Sequence, residues 1–341
     1  MKFLVTAQLQ GEALATLRQY GEVEYSSYGE KMRMLAGSKL VKALQDVSVL
    51  VTEVDQVRKY VFPQVPGLKA ISCCRGNPVN IDVAAATQHG VPVLITPGRN
   101  ADAVADLAIL LMLALLRHLL PVAHILREQG DGMEKLARVF TQYQGAELWE
   151  KTVGLVGLGA VGQAVAARLL PFGAHVVAYD PYVKQEDADR WYSVPQQRGL
   201  RVTLLSLDEL LRRADIVSLH AAVTDETQGM IGQRQFEQMK KGAYFVNVAR
   251  SALADEKALC QALREGHLAG AALDVFDEEP PAPDNPLLTL DNVIATPHIG
   301  GSTAEIITHQ SRIAVADLVR LLQGQCPLHC VNPETLANFH W

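Results

Sequence analysis

The sequence predicts an α/β protein built on parallel sheets and divided into two domains. Three observations carry this. The chain has 341 residues, enough for two domains of ordinary size. Apolar runs of strand length recur along it, each separated from the next by a segment of helical length, which is the pattern of successive βα units. One such run, Val153–Val156, enters the turn Gly157-Leu158-Gly159-Ala160-Val161-Gly162, which opens a helix. Apolar residues make up 49% and charged residues 20%, the composition of a protein with sizeable cores. The net charge of -6 argues against nucleic acid or an anionic membrane as partner. It leaves a small acidic substrate open, because a local basic pocket can sit in an acidic protein.

In the first hundred residues, strands are predicted at Lys2–Ala7, Val47–Val51, Ala70–Cys73 and Val91–Ile95, and helices at Glu12–Tyr20, Ser38–Gln45 and Asn80–His89. The opening MKFLVTAQLQ lacks the apolar core and cleavage site of a signal peptide and reads as the first strand. A long helix follows from Ala101 to Gln129, with Pro121 as its kink. It is apolar on more than one face, so burial against the other domain or a second subunit is expected. Its uninterrupted apolar run, Leu107 to Leu116, is about half of what spans a bilayer. Residues 130–150 read as a polar loop. A second series of strands follows at Val153–Val156, Val176–Tyr179, Ile216–Leu219, Tyr244–Val248, Ala271–Val275 and Val293–Ala295. Residues 181–201 read as a surface insertion, and a helix at Thr303–Gln323 precedes a short apolar tail. The five cysteines form no disulfide framework and read as reduced thiols of a cytoplasmic protein. No Cys or His pairs have zinc spacing, so no metal is expected.

The glycine turn alone fits a ligand-free βα turn as well as a nucleotide site. Its context decides. A strand precedes it, a helix at Gln163–Pro171 follows, and the next strand ends at Asp180, about twenty residues on. Gly157 permits the sharp turn, Gly159 lets backbone approach a pyrophosphate, and Gly162 lets helix and strand pack closely. The free N–H groups at the helix start then face the phosphates. Asp180 can accept from both ribose hydroxyls and would repel a 2′-phosphate, which favours NAD over NADP. A Rossmann-like domain follows from this context.

Three further stretches, FVNVARSALADE (245–256), ALDVFDEEP (272–280) and ATPHIGGS (295–302), each place polar residues after a strand, where ligands sit in an open α/β sheet. Together with SLHAAVTDET (218–227) and NPVNIDVAAATQHGVPVLITPGRNADAVAD (77–106), they resemble the D-isomer-specific 2-hydroxyacid dehydrogenases, the group that includes D-3-phosphoglycerate dehydrogenase and glyoxylate/hydroxypyruvate reductases. The similarity covers most of the chain. It implies an NAD-dependent enzyme with two Rossmann-like/flavodoxin-like domains and the active site in the cleft between them. The implied roles are Arg250 orienting the substrate, His298 as acid/base, and Glu279, directly before Pro280, as the carboxylate behind the histidine. These types suit the chemistry. Imidazole titrates near working pH, and a guanidinium fork grips a carboxylate and polarises a keto oxygen. The resemblance further implies that Asp274 meets the nicotinamide carboxamide and that His220 and Thr227 line the dinucleotide cleft. Ala160, Val161, Val248, Ala249 and Gly300 complete the cofactor contacts. Ala222 stands where the family usually has proline.

The substrate loop departs from the family's glycine-rich run. It reads CCRGNPVN at 73–80, giving Arg75, Gly76 and Asn77 as substrate contacts, with Asn100 as another. Arg75 would add a second cationic grip, suited to a phosphorylated 2-keto acid or a sugar acid. The segment Leu50–Val54 lacks the Arg-Ser pair that grips phosphate in some phosphoglycerate dehydrogenases. The expected domains are 1–100 with 299–341 for substrate and 101–298 for NAD, with no room for a C-terminal regulatory domain. The helix after residue 101 resembles the family's dimer-forming element, so a homodimer is expected. The rival readings are a different NAD enzyme on the same scaffold, such as one oxidising formate or phosphite, and a dinucleotide-sensing, corepressor-like binding protein on the same fold.

Overall fold

A computed structural model describes residues 1–27, 29, 33–128, 130–191 and 201–341. They divide into two units: Met1–Arg99 with Thr303–Trp341, and Asn100–Ser302.

The first unit opens with β1 (Lys2–Val5), α1 (Gly11–Arg18), β2 (Glu22–Tyr25), α2 (Gly37–Ala43), β3 (Val49–Thr52), β4 (Ala70–Cys73), α3 (Val83–Gln88) and β5 (Val93–Ile95). The strands form one parallel sheet in the order β2-β1-β3-β4-β5. This is a flavodoxin-like order. β3 and β4 are buried along their whole length, which is why they read as continuous apolar runs. β2 was not expected from the sequence. Its residues, EVEY, alternate exposed and half-buried at the sheet edge, and the two glutamates hide the strand pattern. α3 starts at Val83 rather than Asn80, because the Asp82 side chain caps it by accepting from the Ala85 amide at 3.0 Å.

The second unit begins with α4 (Ala101–Leu116), α5 (Leu119–Ile125) and α6 (Gly132–Gln142). The single long helix expected here is broken. α4 and α5 bend by 60°, and the break is at His118, whose φ of 48° is left-handed. Pro121 is not the kink. It occupies the first turn of α5, where its missing N–H leaves no helical bond unmade. Gln129 lies outside the described residues. The expected loop at 130–150 contains α6, capped by Asp131, which accepts from the amides of Met133 and Glu134. Most apolar residues of α4 are covered within its own unit, in a core where Ala105, Ala108 and Met112 meet Leu155, Val165 and Val246, while Leu110 is exposed. Among the described residues no single helix is long and apolar enough to cross a membrane.

The unit continues through β6 (Thr152–Val156), α7 (Ala160–Leu169), β7 (His175–Tyr179), α8 (Gln185–Trp191), β8 (Val202–Leu204), α9 (Leu207–Arg213), β9 (Ile216–Leu219), α10 (Gln233–Gln238), β10 (Ala243–Asn247), α11 (Glu256–Arg264), β11 (Leu268–Leu273) and β12 (Val293–Ala295). The expected insertion at 181–201 holds α8, and 192–200 lie outside the described residues. The seven strands are parallel, in the order β12-β11-β10-β9-β6-β7-β8. The chain leaves β6 in one direction and returns at β9 on its other side, so the switch point lies between these strands. The chain then re-enters the first unit through α12 (Glu305–Leu322). Ala314, Val315, Leu318 and Leu321 of α12 pack with Phe3, Leu14, Leu17 and Leu94.

The turn after β6 is sterically closed. Gly157 has φ 97°, and a Cβ there would meet the Ala221 amide nitrogen at 2.5 Å. A Cβ on Gly162 would run into the Gly157 carbonyl oxygen. Gly162→Ala should therefore destabilise the protein by about 1–3 kcal/mol, read as a lower urea midpoint with an unchanged slope.

Candidate functional site

The sequence-predicted residues of the second unit gather at the carboxyl ends of its strands, because every connection in a parallel sheet leaves a strand at that edge. Gly157 follows β6, Asp180 follows β7, His220 follows β9, Arg250 lies past β10, Asp274 follows β11 and His298 lies past β12.

His298 and Glu279 form the central pair. The His298 Nδ1 lies 2.7 Å from Glu279 Oε2, with both side chains about two-fifths exposed. The other carboxylate oxygen accepts from the Phe276 amide at 3.3 Å. Partial burial pushes the Glu279 carboxyl up. The hydrogen bonds from His298 and Phe276 and the charges of His298 and Arg250 outweigh it, and the carboxyl is held below its ordinary range. Arg250 thus lies within electrostatic reach of the pair. Its Nη1 donates to the Ala249 carbonyl at 2.6 Å. His298 has φ 55°, a left-handed conformation rare for a non-glycine residue.

That conformation is held by Asp274, which is 1% exposed. Its carboxylate accepts from Thr296 Oγ1 at 2.7 Å, the Ile299 amide at 2.8 Å and the Gly300 amide at 2.7 Å. These bonds tie the residues on both sides of His298 to the end of β11. They also place Ile299 and Gly300 in the second unit, so the chain crosses after Ser302 rather than after residue 298. Sequence reasoning missed two supports. Thr296 is one. Asn247, 2% exposed, is the other: it accepts from the Ala249 amide at 3.0 Å and donates to the Arg250 carbonyl at 2.9 Å, shaping the turn of Val248 and Ala249. A lone Asn ending an apolar strand was the available signal.

A cavity of about 310 Å³ lies along the glycine turn, lined in part by Gly159, Asp180, His220 and Thr227. Ala160, Val161, Val248, Ala249, Asp274 and Gly300 are not on its walls. Asp180 is anchored, Oδ2 accepting from the Leu158 amide at 2.8 Å and Oδ1 from the Tyr182 amide at 2.9 Å. Each oxygen keeps lone-pair capacity for another donor. Nothing lies within 4 Å of where a Gly159 Cβ would be, so the backbone there is open to a close-approaching group. Both ring nitrogens of His220 are shielded from solvent and lack a partner among the described residues, and burial pushes its pKa down to about 3. Thr227 Oγ1 donates to the Ala222 carbonyl at 2.7 Å. An open backbone at a helix N-terminus, an anchored carboxylate and a neutral unpartnered imidazole fit a dinucleotide. A larger hollow of about 530 Å³, between α11 and the 286–289 turn, holds none of the sequence-predicted residues.

In the first unit, Cys73 and Cys74 are buried, and burial raises both thiols, Cys73 to about 12. Arg75 is half-buried, Gly76 and Asn77 are exposed, and a Cβ on Gly76 would meet only ordinary contacts. The fold of this unit therefore does not itself require glycine at 76. Asn100 starts α4 without a side-chain capping bond and belongs to the second unit. Among the described residues no group of three or more His, Cys, Asp or Glu is placed to hold a metal ion.

The sequence model for the NAD binding domain of D-isomer specific 2-hydroxyacid dehydrogenases matches residues 109–300, more than half of the chain. The chain belongs to the D-isomer-specific 2-hydroxyacid dehydrogenase family. Within it, the chain is 39% identical to D-3-phosphoglycerate dehydrogenase of Methanocaldococcus jannaschii, over 97% of this chain and 59% of that one. It is 35% identical to glyoxylate reductase of Korarchaeum cryptofilum, over 87% and 86% of the two chains. The solved TT0316 protein of Thermus thermophilus superimposes with a TM-score of 0.77 at 36% identity, covering 97% of this chain and all of that one. D-mandelate dehydrogenase of Rhodotorula graminis shares the fold, with a TM-score of 0.83 at 24% identity. The chain spans about three-fifths of the length of the phosphoglycerate dehydrogenase it matches. The family model makes the second unit a dinucleotide-binding domain.

The Glu279 titration is open to test. Followed by 13C NMR, its carboxyl should have a midpoint below the ordinary Glu value of about 4.3. In His298→Ala the midpoint should rise. Because the folded pKa is the lower one, any stability from the pair is present at neutral pH and is lost as pH falls through that midpoint.

Proposed function

We propose that the protein is an NAD-dependent oxidoreductase interconverting a D-2-hydroxy acid and its 2-keto acid. The observation that carries this is the 2.7 Å contact between His298 Nδ1 and Glu279 Oε2, within reach of the Arg250 charge. When bound, the dinucleotide supplies or removes the hydride. The chain's residues handle the proton and the orientation. With Nδ1 engaged by Glu279, Nε2 is the ring nitrogen that exchanges a proton with the substrate oxygen. In reduction it gives the proton to the keto oxygen, and in oxidation it takes the hydroxyl proton. Glu279 stabilises the imidazolium and fixes the ring. Arg250 grips the substrate carboxylate and favours charge developing on the keto oxygen. Arg75, Gly76, Asn77 and Asn100 are further proposed as substrate contacts. Asp180 favours NAD over NADP because its fixed charge opposes a 2′-phosphate. Asp274 holds the His298 loop through three internal donors, and Oδ2, which accepts only one of them, keeps a lone-pair site for the nicotinamide carboxamide.

The protein is further inferred to be a homodimer. Met133, Leu136 and Phe140 lie along one face of α6 and are 73%, 47% and 72% exposed, and α6 buries no residue. Leu119, Leu120 and Leu126 are exposed just before it. A concentration of apolar side chains of this kind calls for a cover. A cytoplasmic setting is inferred from the five unpaired thiols.

Two measurements check these readings. NADH oxidation should proceed with at least one member of a panel running from glyoxylate and hydroxypyruvate to 2-keto sugar acids, more slowly with NADPH. His298→Ala should lower kcat about 10²–10⁴-fold. No turnover with intact NADH binding would overturn the enzyme reading. Light scattering at micromolar concentration should give a dimer, and Leu136→Glu with Phe140→Glu should give a monomer.

A further inference from the structure

Three polar side chains meet at the carboxyl edge of the smaller sheet. Glu53 is the first residue after β3, Arg75 the second after β4, and Arg99 the fourth after β5. Arg99 Nη1 bonds Glu53 Oε1 at 2.8 Å, with the two side chains only 16% and 23% exposed. Arg75 Nη1 reaches the Glu53 backbone carbonyl at 3.4 Å. Gln310, from α12 and 1% exposed, clamps the group from behind. Its Oε1 accepts from Arg99 Nη1, and its Nε2 donates to the Gln8 carbonyl at 2.7 Å and toward Glu53 Oε2 at 3.4 Å. The Arg99 carbonyl is within 3.2 Å of His309 Nδ1.

The balance of charge and of donors is uneven. Two guanidiniums accompany one carboxylate, which bonds Arg99 and not Arg75, so the cluster carries an excess positive charge. Arg99 uses one nitrogen for both of its partners. Its Nε and Nη2, like those of Arg75, have no partner among the described residues. Asp55, two residues beyond Glu53, is 1% exposed and already accepts from Thr52 Oγ1 and the Leu35 amide. Arg99, fixed by Glu53 and the buried Gln310, and Arg75, tethered to the Glu53 carbonyl, have donors left over and form a site for an anion with several oxygens. It lies where ligands collect in a parallel sheet.

We propose that Arg75 and Arg99 form a second anion subsite, and that the substrate is a 2-keto or 2-hydroxy acid carrying a phosphate or a second carboxylate at the end remote from the reacting carbon. This rests on the 2-hydroxyacid oxidoreductase reading. Glu53 and Gln310 are positioning residues that aim Arg99.

The test uses matched substrates that differ only at the remote end: 3-phosphohydroxypyruvate against hydroxypyruvate, and oxaloacetate against 2-ketobutyrate. The full-length wild type should prefer the anionic member of at least one pair, and the pair that responds distinguishes phosphate from carboxylate. Arg99→Ala and Arg75→Ala should each reduce that preference by about 10–100-fold through KM, and Arg99→Lys should restore part of it. An unchanged preference in both alanine variants overturns the subsite, even where the dehydrogenase reading stands. Should the wild type reduce none of the four, that reading is decided separately on the wider panel that includes glyoxylate and the 2-keto sugar acids. Calorimetric titration with 3-phosphohydroxypyruvate and hydroxypyruvate then decides the subsite: phosphate-dependent binding lost in Arg75→Ala supports it, and equal binding of the two overturns it. Arg75 makes only one long internal hydrogen bond, so its variant remains informative should Arg99→Ala fail to fold.

Discussion

Asp274 occupies one of the least accessible positions in the second unit, and a buried carboxylate is costly unless donors converge on it. Here three donors do, all from the segment Thr296–Gly300. This one group joins the end of β11 to the segment that follows β12. His298 sits between those anchors, in a backbone conformation that its own side chain disfavours. The anchors stabilise that conformation, and the imidazole meets Glu279 as a result. A Cβ at residue 300 would come within 2.9 Å of Asp274 Oδ2, so the glycine there belongs to the same constraint. The geometry of the His298–Glu279 pair thus depends on a buried residue that touches neither side chain.

Much of this was legible in the sequence because it follows from local pattern. Buried parallel strands appear as apolar runs, and polar residues just beyond them fall at the ligand-binding edge whatever their identity. Ala70–Cys73, Ile216–Leu219 and Val293–Ala295 match the observed strands residue for residue. β2 was hidden because an edge strand need not be apolar. The break at His118 was hidden because proline drew attention to a position where it is harmless. The loop reading of 130–150 failed for a different reason. α6 is an amphipathic helix that buries nothing in its own chain, so its capping Asp131 was the better guide than its polarity.

The two candidate regions differ in how they could be found. Arg250, Glu279 and His298 lie within 49 residues of one another in sequence and each follows a strand. The Glu53–Arg99–Gln310 cluster joins groups up to 257 residues apart, and Gln310 lies on a helix that returns from beyond the second unit. No local pattern marks a buried glutamine as a clamp. Arg75 was visible as an odd residue in a loop, but its partner across the sheet edge was not.

The two crossings of the chain set an order of assembly during synthesis. Residues 100–302 form an unbroken stretch, so the dinucleotide unit has all its strands once they have left the ribosome. The first unit starts first but waits for α12, whose leucines fill its core, and for the tail, where Asn332 accepts from the Val93 amide and Asp317 holds His329. Until then its first 99 residues must remain beside a folding neighbour with part of their apolar surface uncovered. The unit that begins the chain is the last to be completed, and a nascent chain stalled before residue 305 would hold one finished domain and one exposed to chaperones.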